Sequence, residues 1–222
     1  MSEGDPNTGG LNSDEQRASL NSTKSGSSGT SIFLKQTIEE FLDDLSSREP
    51  TPGGGSVAAV VIAMAAGLAS MAAHFSDGQL PDALRIAQTA NVLRTQVASL
   101  AQEDARAYQK VLASFEAPTK GDPATRRETI QSALSGAADV PLRITDAGAE
   151  VAQLAEEVAR RGNGNLRGDA ITGALLAHAG AQACALLVRI NLDGMEDERI
   201  GQAQGLADIA ADAARRALVG DA

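Results

Sequence analysis

Residues 50–75 read Pro-Thr-Pro-Gly-Gly-Gly-Ser and then run from Val57 to Phe75 without a single Asp, Glu, Lys or Arg. A helix that is apolar on every side has no face that prefers water, so something must enclose it. The glycines ahead of it allow close approach of another group. A fresh helix start also presents free N–H groups and a positive dipole end. Three readings follow: a buried central helix, a membrane span, or the floor of an anion site.

Composition narrows the choice. The 222 residues hold no Trp, one Tyr and four Phe, while Ala and Gly dominate. Such a chain favours helix over strand. The expected fold class is all-α: an elongated bundle of about six helices, one domain over 31–222, with Ala/Gly-rich helices at its centre. A second uncharged run spans Ala170 to Val188. Both runs approach the length of a bilayer span. Ala and Gly gain little from lipid, however, and no aromatic belt or basic cluster flanks either run, so no membrane association is expected. The net charge of −10 speaks against a general nucleic-acid surface, which needs a basic face. It leaves room for a small anion held by local Arg residues and helix starts. The single Cys184 rules out an intramolecular disulfide framework and suits a reducing compartment. The first residues lack the basic cluster and apolar core of a signal peptide, so a cytoplasmic protein is expected.

Along the chain, residues 1–30 are rich in Ser, Gly and Asn and read as a disordered leader. Residues 37–48 read as a short amphipathic helix with Ile38, Phe41, Leu42 and Leu45 turned inward. Ser56 is placed as the N-cap of the uncharged helix. One long helix is predicted from about Pro81 to Phe115, then a loop over 117–123. The next helix is predicted from about Ala124 to Arg160, with a kink or break at Pro141. A second glycine-rich loop, 161–168, opens the second uncharged helix. Leu192-Asp193-Gly194 ends it, and an amphipathic helix follows over 196–218.

Few groups on this chain carry chemistry. Asp104 and Tyr108 are four apart and share a helix face. Turned inward, Asp104 would have a raised pKa and act as an acid or base; turned outward, it is a solvated acid. Asp169 follows the second glycine loop and reads first as a plain cap, with an acid/base role as the second reading. His74 and His178 lack metal-ligand spacing with Cys184 or with any acid, so no metal is expected. Gly53-Gly54-Gly55 is not followed by the Gly-Lys-Ser/Thr of a nucleotide loop.

Taken in order, Pro50-Thr51-Pro52-Gly53-Gly54-Gly55-Ser56, Asp104-Ala105-Arg106-Ala107-Tyr108, Gly162-Asn163 with Asp169, and Ile190-Asn191-Leu192 resemble the folate cyclodeaminase/cyclohydrolase family. The resemblance implies an all-helical homodimer with a folate cleft near the glycine loops. It implies ring closure of 5-formiminotetrahydrofolate to 5,10-methenyltetrahydrofolate with loss of ammonia. The alternative is hydration of the methenyl compound to 10-formyltetrahydrofolate, and a further alternative is a non-catalytic dimer of the same fold. Neither reaction requires a metal or redox cofactor; a tetrahydrofolate derivative is the substrate. By the same resemblance Asp104 is the acid/base, with Asp169 and Asn163 positioning groups beside it. Pro52, Gly53, Gly54, Gly55 and Ser56 would contact the pterin or an anionic part of the substrate. Arg106 and Arg167 would pair with glutamate carboxylates, and Tyr108 and Asn191 would complete the binding set. The chain departs from the usual family pattern at Gln79, Gly168 and Leu187. Ring closure is favoured on the Asp-Ala-Arg-Ala-Tyr segment, and the uncharged helix is expected to be the spine that joins Asp104 to Asp169.

Overall fold

A computed structural model describes residues 33–116 and 122–219. The predicted leader over 1–30 and most of the loop over 117–123 lie outside them. Among the described residues there are six α-helices and no strand: α1 (Ile38–Leu45), α2 (Gly54–His74), α3 (Ala83–Glu116), α4 (Pro123–Arg161), α5 (Arg167–Asn191) and α6 (Glu198–Val219).

The uncharged run forms α2, which packs against α3, α4 and α5. Seven of its eight alanines from Ala58 to Ala73 are buried and Ala63 is partly so, and small side chains let the neighbouring axes come close. Ser56 Oγ donates to Ala101 O at 2.8 Å and Ser70 Oγ to Ala87 O at 3.0 Å, so α3 runs antiparallel to α2. α5 is also antiparallel to α2. A Cβ added to Gly180 would lie 2.6 Å from Ile62 Cγ1, and one on Gly173 would lie 3.1 Å from the Ala65 carbonyl oxygen. α2 and α5 are each long and apolar enough to cross a membrane by length and composition, but most of the apolar length of α2 is enclosed by its neighbours. Gly78 (φ 81°) and Gly194 (φ 73°) take the left-handed conformation just after α2 and α5, where a chain leaving a helix favours glycine.

α6 is fastened to α4 by charge. Arg216 donates two hydrogen bonds of 2.9 Å to the Glu156 carboxylate, and Arg160 adds a third at 3.0 Å. The Arg216 bonds hold that carboxyl below the usual range against its burial.

Two expectations need correction. α1 is shorter than 37–48, and Ile38 and Leu42 remain exposed. The Thr37–Glu40 capping box fixes its start, but the segment anchors through Phe33, which meets Phe41 edge-to-face and donates its N–H to Gln102 Oε1. Pro141 does not break the helix: α4 continues through it to Arg161.

Candidate active site

α2 starts after Gly53, a residue with no side chain to cap it. Ser56, expected as the cap, is the third residue inside the helix. The capping group comes from another helix. Asp104 of α3 accepts hydrogen bonds from the Ser56 backbone N–H and from its hydroxyl, with Ser56 Oγ 3.1 Å from Asp104 Oδ2. The carboxylate thus sits where free N–H groups and the helix dipole favour negative charge.

Gly55 makes that seat possible. A Cβ there would overlap the Asp104 carboxylate itself. Burial raises the Asp104 pKa; the two Ser56 hydrogen bonds oppose it and do not cancel it. A carboxyl so placed keeps its proton further toward neutral pH than an ordinary Asp, which suits proton transfer.

Asp104 opens onto a cavity of about 310 Å³. Pro50, Thr51, Gly53, Gly54 and Gly55 form one wall, and Asp104, Ala107 and Tyr108 of α3 form a second. The third wall is Ala137 of α4 with Leu187, Ile190 and Asn191 of α5. Asn191 Nδ2 donates to Ala137 O at 3.2 Å. The site is a single acid in largely apolar walls, with exposed Tyr108 on the α3 wall. Cys184 is buried, and burial with the nearby Asp104 charge pushes its thiol far up, so it offers no thiolate nucleophile. Among the described residues no cluster of His, Cys, Asp or Glu has the makings of a metal site.

The predicted site residues divide. Gly53, Gly54, Gly55, Asp104, Tyr108 and Asn191 meet at the cavity. Ser56 acts behind Asp104, and Pro52 is buried and off the cavity wall. Arg106 is exposed and does not line it. Arg167 caps α6 instead, with its guanidinium 3.3 Å from the carbonyl oxygens of both Ala217 and Leu218. Asn163 is tied to the far end of α2: its N–H meets Ser76 Oγ at 2.9 Å and its Nδ2 meets Phe75 O at 3.0 Å. A 21-residue helix is about 30 Å long, so Asn163 and Asp104 stand at opposite ends of it. Asp169, in the first turn of α5, lies toward that same far end. Within one chain α2 separates Asp104 from Asp169 rather than joining them. Sequence reading did not single out the wall residues Pro50, Thr51, Ala107, Ala137, Leu187 and Ile190; Pro50, Thr51, Ala107 and Ile190 lie within the motif segments, Leu187 at a departure from the family pattern, and Ala137 carries no signal.

The profile of the formiminotransferase-cyclodeaminase family matches residues 37–205. The chain belongs to that family. It is similar to a methenyltetrahydrofolate cyclohydrolase of Methylorubrum extorquens, 37% identical over 184 residues that cover 77% of this chain and 88% of the relative. It is similar to the formimidoyltransferase-cyclodeaminase of Rattus norvegicus, 30% identical over 75% of this chain but only 32% of that longer protein. The crystal structure of a formiminotetrahydrofolate cyclodeaminase from Thermotoga maritima superposes with a TM-score of 0.74 at 30% identity, covering 83% of this chain and 94% of that one. These relatives are named as enzymes, and the chain is an enzyme of the same kind, with the all-α fold expected from its composition.

Proposed function

We propose that the cavity binds a tetrahydrofolate derivative and that Asp104 moves protons at its one-carbon bridge, as a methenyltetrahydrofolate cyclohydrolase. The observation that carries this is a partly buried carboxyl, the only acid of the cavity wall, held at a helix start and open to an apolar-walled cavity. In the forward step a water oxygen bonds to the methenyl carbon and Asp104 takes one of its protons. A tetrahedral centre results. The second water proton is then released as the carbonyl forms, the bond from carbon to N5 breaks, and Asp104 returns its proton to N5. The product is 10-formyltetrahydrofolate, with one net proton released. Ser56 suits both states of Asp104: its hydroxyl donates to the carboxylate, and rotating toward Ala101 it accepts from the acid.

The stand-alone relative of similar length, 37% identical, supports hydration over ring closure. The solved cyclodeaminase supports a second reading in the same cavity. There N10 would attack the formimino carbon, and protonated Asp104 would deliver the proton that lets ammonia leave. Both readings need only proton transfers and charge placement, so no resident cofactor is invoked. One measurement separates them: the absorbance of methenyltetrahydrofolate, followed as it decays above the uncatalysed rate or as it forms from 5-formiminotetrahydrofolate. No turnover in either direction, with no folate binding by calorimetry, would sink both.

We further infer a cytoplasmic homodimer. Met64 and Met71 of α2, Phe75 just after it, and Leu175, Leu186 and Ile190 of α5 are exposed although apolar. Such stripes on helices whose middle lengths carry no charge suit burial against a second copy. A role for Asp169 or Asn163 at the Asp104 cavity would require that second copy. Light scattering on the full chain tests this, and a monomer at micromolar concentration would refute it.

A further inference from the structure

Pro141 lies in the middle of α4 and is fully buried. It has no N–H to give to the carbonyl of Ala137, one turn back, and a proline ring crowds that same carbonyl. The oxygen is met instead from α5, by Asn191 Nδ2 at 3.2 Å. Only the NH2 half of an amide can donate to a carbonyl, so this bond fixes which way the Asn191 amide faces. Its Oδ1 is left without a partner among the described residues, and Asn191 and Ala137 both line the cavity that holds Asp104.

We propose that Pro141 is a positioning residue for substrate recognition. By withholding an N–H from Ala137 it sets Asn191 so that Oδ1 stands in the cavity as a hydrogen-bond acceptor. The bound molecule must then offer an N–H or NH2 group there. On the folate reading above, on which this part rests, that donor is the amide and amine edge of the pterin. A helix-breaking residue kept inside a long helix thereby acquires a purpose: it exports one backbone acceptor to hold one side chain.

The test is a double-mutant cycle on the full chain, read in two ways. Pro141→Ala restores an in-helix donor for the Ala137 carbonyl. Without any ligand, Asn191→Ala is expected to lower Tm by about 3 °C in the native background. It should lower Tm by much less in the Pro141→Ala background, because the carbonyl is then satisfied within α4. With methenyltetrahydrofolate, Asn191→Ala should raise KM about tenfold. Pro141→Ala should raise KM several-fold while kcat stays within about twofold. A merely structural proline would change the amount of folded enzyme, hence the apparent kcat, and leave KM alone. Additive Tm shifts overturn the proposal, and so do coupled Tm shifts with KM unchanged in both variants. If the wild-type protein neither turns over nor binds folates, the pterin assignment falls together with the functional reading. The ligand-free cycle still decides whether Pro141 positions Asn191.

Discussion

The chain has two glycine-rich loops that each lead into an uncharged helix, and they do different things. At the start of α2 the space of a missing Cβ on Gly55 is filled by the Asp104 carboxylate. At the loop before α5 the same kind of space on Gly162 is filled by Ser76 Oγ and the Val158 carbonyl oxygen, which would lie 2.5 and 2.6 Å from an added Cβ. The first loop borders a cavity. The second is held by Asn163 to the end of α2 and by Arg167 to the end of α6. A glycine at a helix end, the start of α2 for Gly55 and the close of α4 for Gly162, is a licence for close approach, and the approaching group decides the outcome. An acid with an open side facing it makes a cavity wall that can carry chemistry; a hydroxyl and a carbonyl make a joint.

The sharpest way to break this contrast is to neutralise the acid at each loop. Asp104→Asn is expected to lower kcat about a thousandfold with the fold intact by circular dichroism, and Asp169→Asn to stay within about threefold. Equal losses from both would abolish the distinction.

Next come the glycines. Gly55→Ala should displace the Asp104 carboxylate and cut kcat/KM about a hundredfold, since misplacing a reacting group is costly. Gly162→Ala should instead cost about 1–3 kcal/mol of stability by overpacking, with kcat/KM per folded molecule unchanged. Paired thermal melts and initial rates read both.

Smaller still, Asn163→Ala removes two side-chain hydrogen bonds, Nδ2 to Phe75 O and the Asn165 N–H to Oδ1. Urea titration should show a loss of about 1–2 kcal/mol, and KM for folate should not move.

The smallest effect is on the pH dependence of stability. The Asp104 pKa is raised in the folded chain by burial, so the folded state favours the protonated form. Its stabilising contribution is present at low pH and is lost as pH rises through the folded value. Melting temperatures of the native protein should therefore decline across that window, from the ordinary carboxylate range upward, relative to Asp104→Asn, which carries no charge at any pH. A native curve parallel to that of the variant would mean that Asp104 ionises as it does in water.

The sequence made part of this legible. An uncharged run rich in Ala has to be enclosed, and α2 is. The proline and glycine signals placed the ends of the long helices within a few residues. Gly53–Gly55, Asp104, Tyr108 and Asn191 were found through a motif, and they meet in space. The failures share one cause: each depends on a partner far along the chain. Ser56 looked like a cap because no local reading shows a carboxylate arriving from 48 residues away. Pro141 looked like a break because the group that takes up its stranded carbonyl sits 54 residues beyond Ala137. Arg167 looked like an anion ligand, and it serves backbone carbonyls 50 residues on. The exposed Ile38 and Leu42 show the reverse case, a clear amphipathic pattern of which the chain uses only Phe41 and Leu45.

The contact between α2 and α5 has a consequence for how such a pocket can be retuned. Gly173 and Gly180 set the two backbones against one another with Ile62 and the Ala65 carbonyl as spacers. Where Gly173 meets the Ala65 carbonyl no side chain intervenes, and the buried Ile62 fills the space left by Gly180, so the distance between these helices has little slack for repacking. Ligands of new size must be accommodated by exchanging the tips that protrude into the space, Leu187, Ile190 and Tyr108. For anyone redesigning this pocket the frame is a fixed calliper, and those three positions are its adjustable jaws.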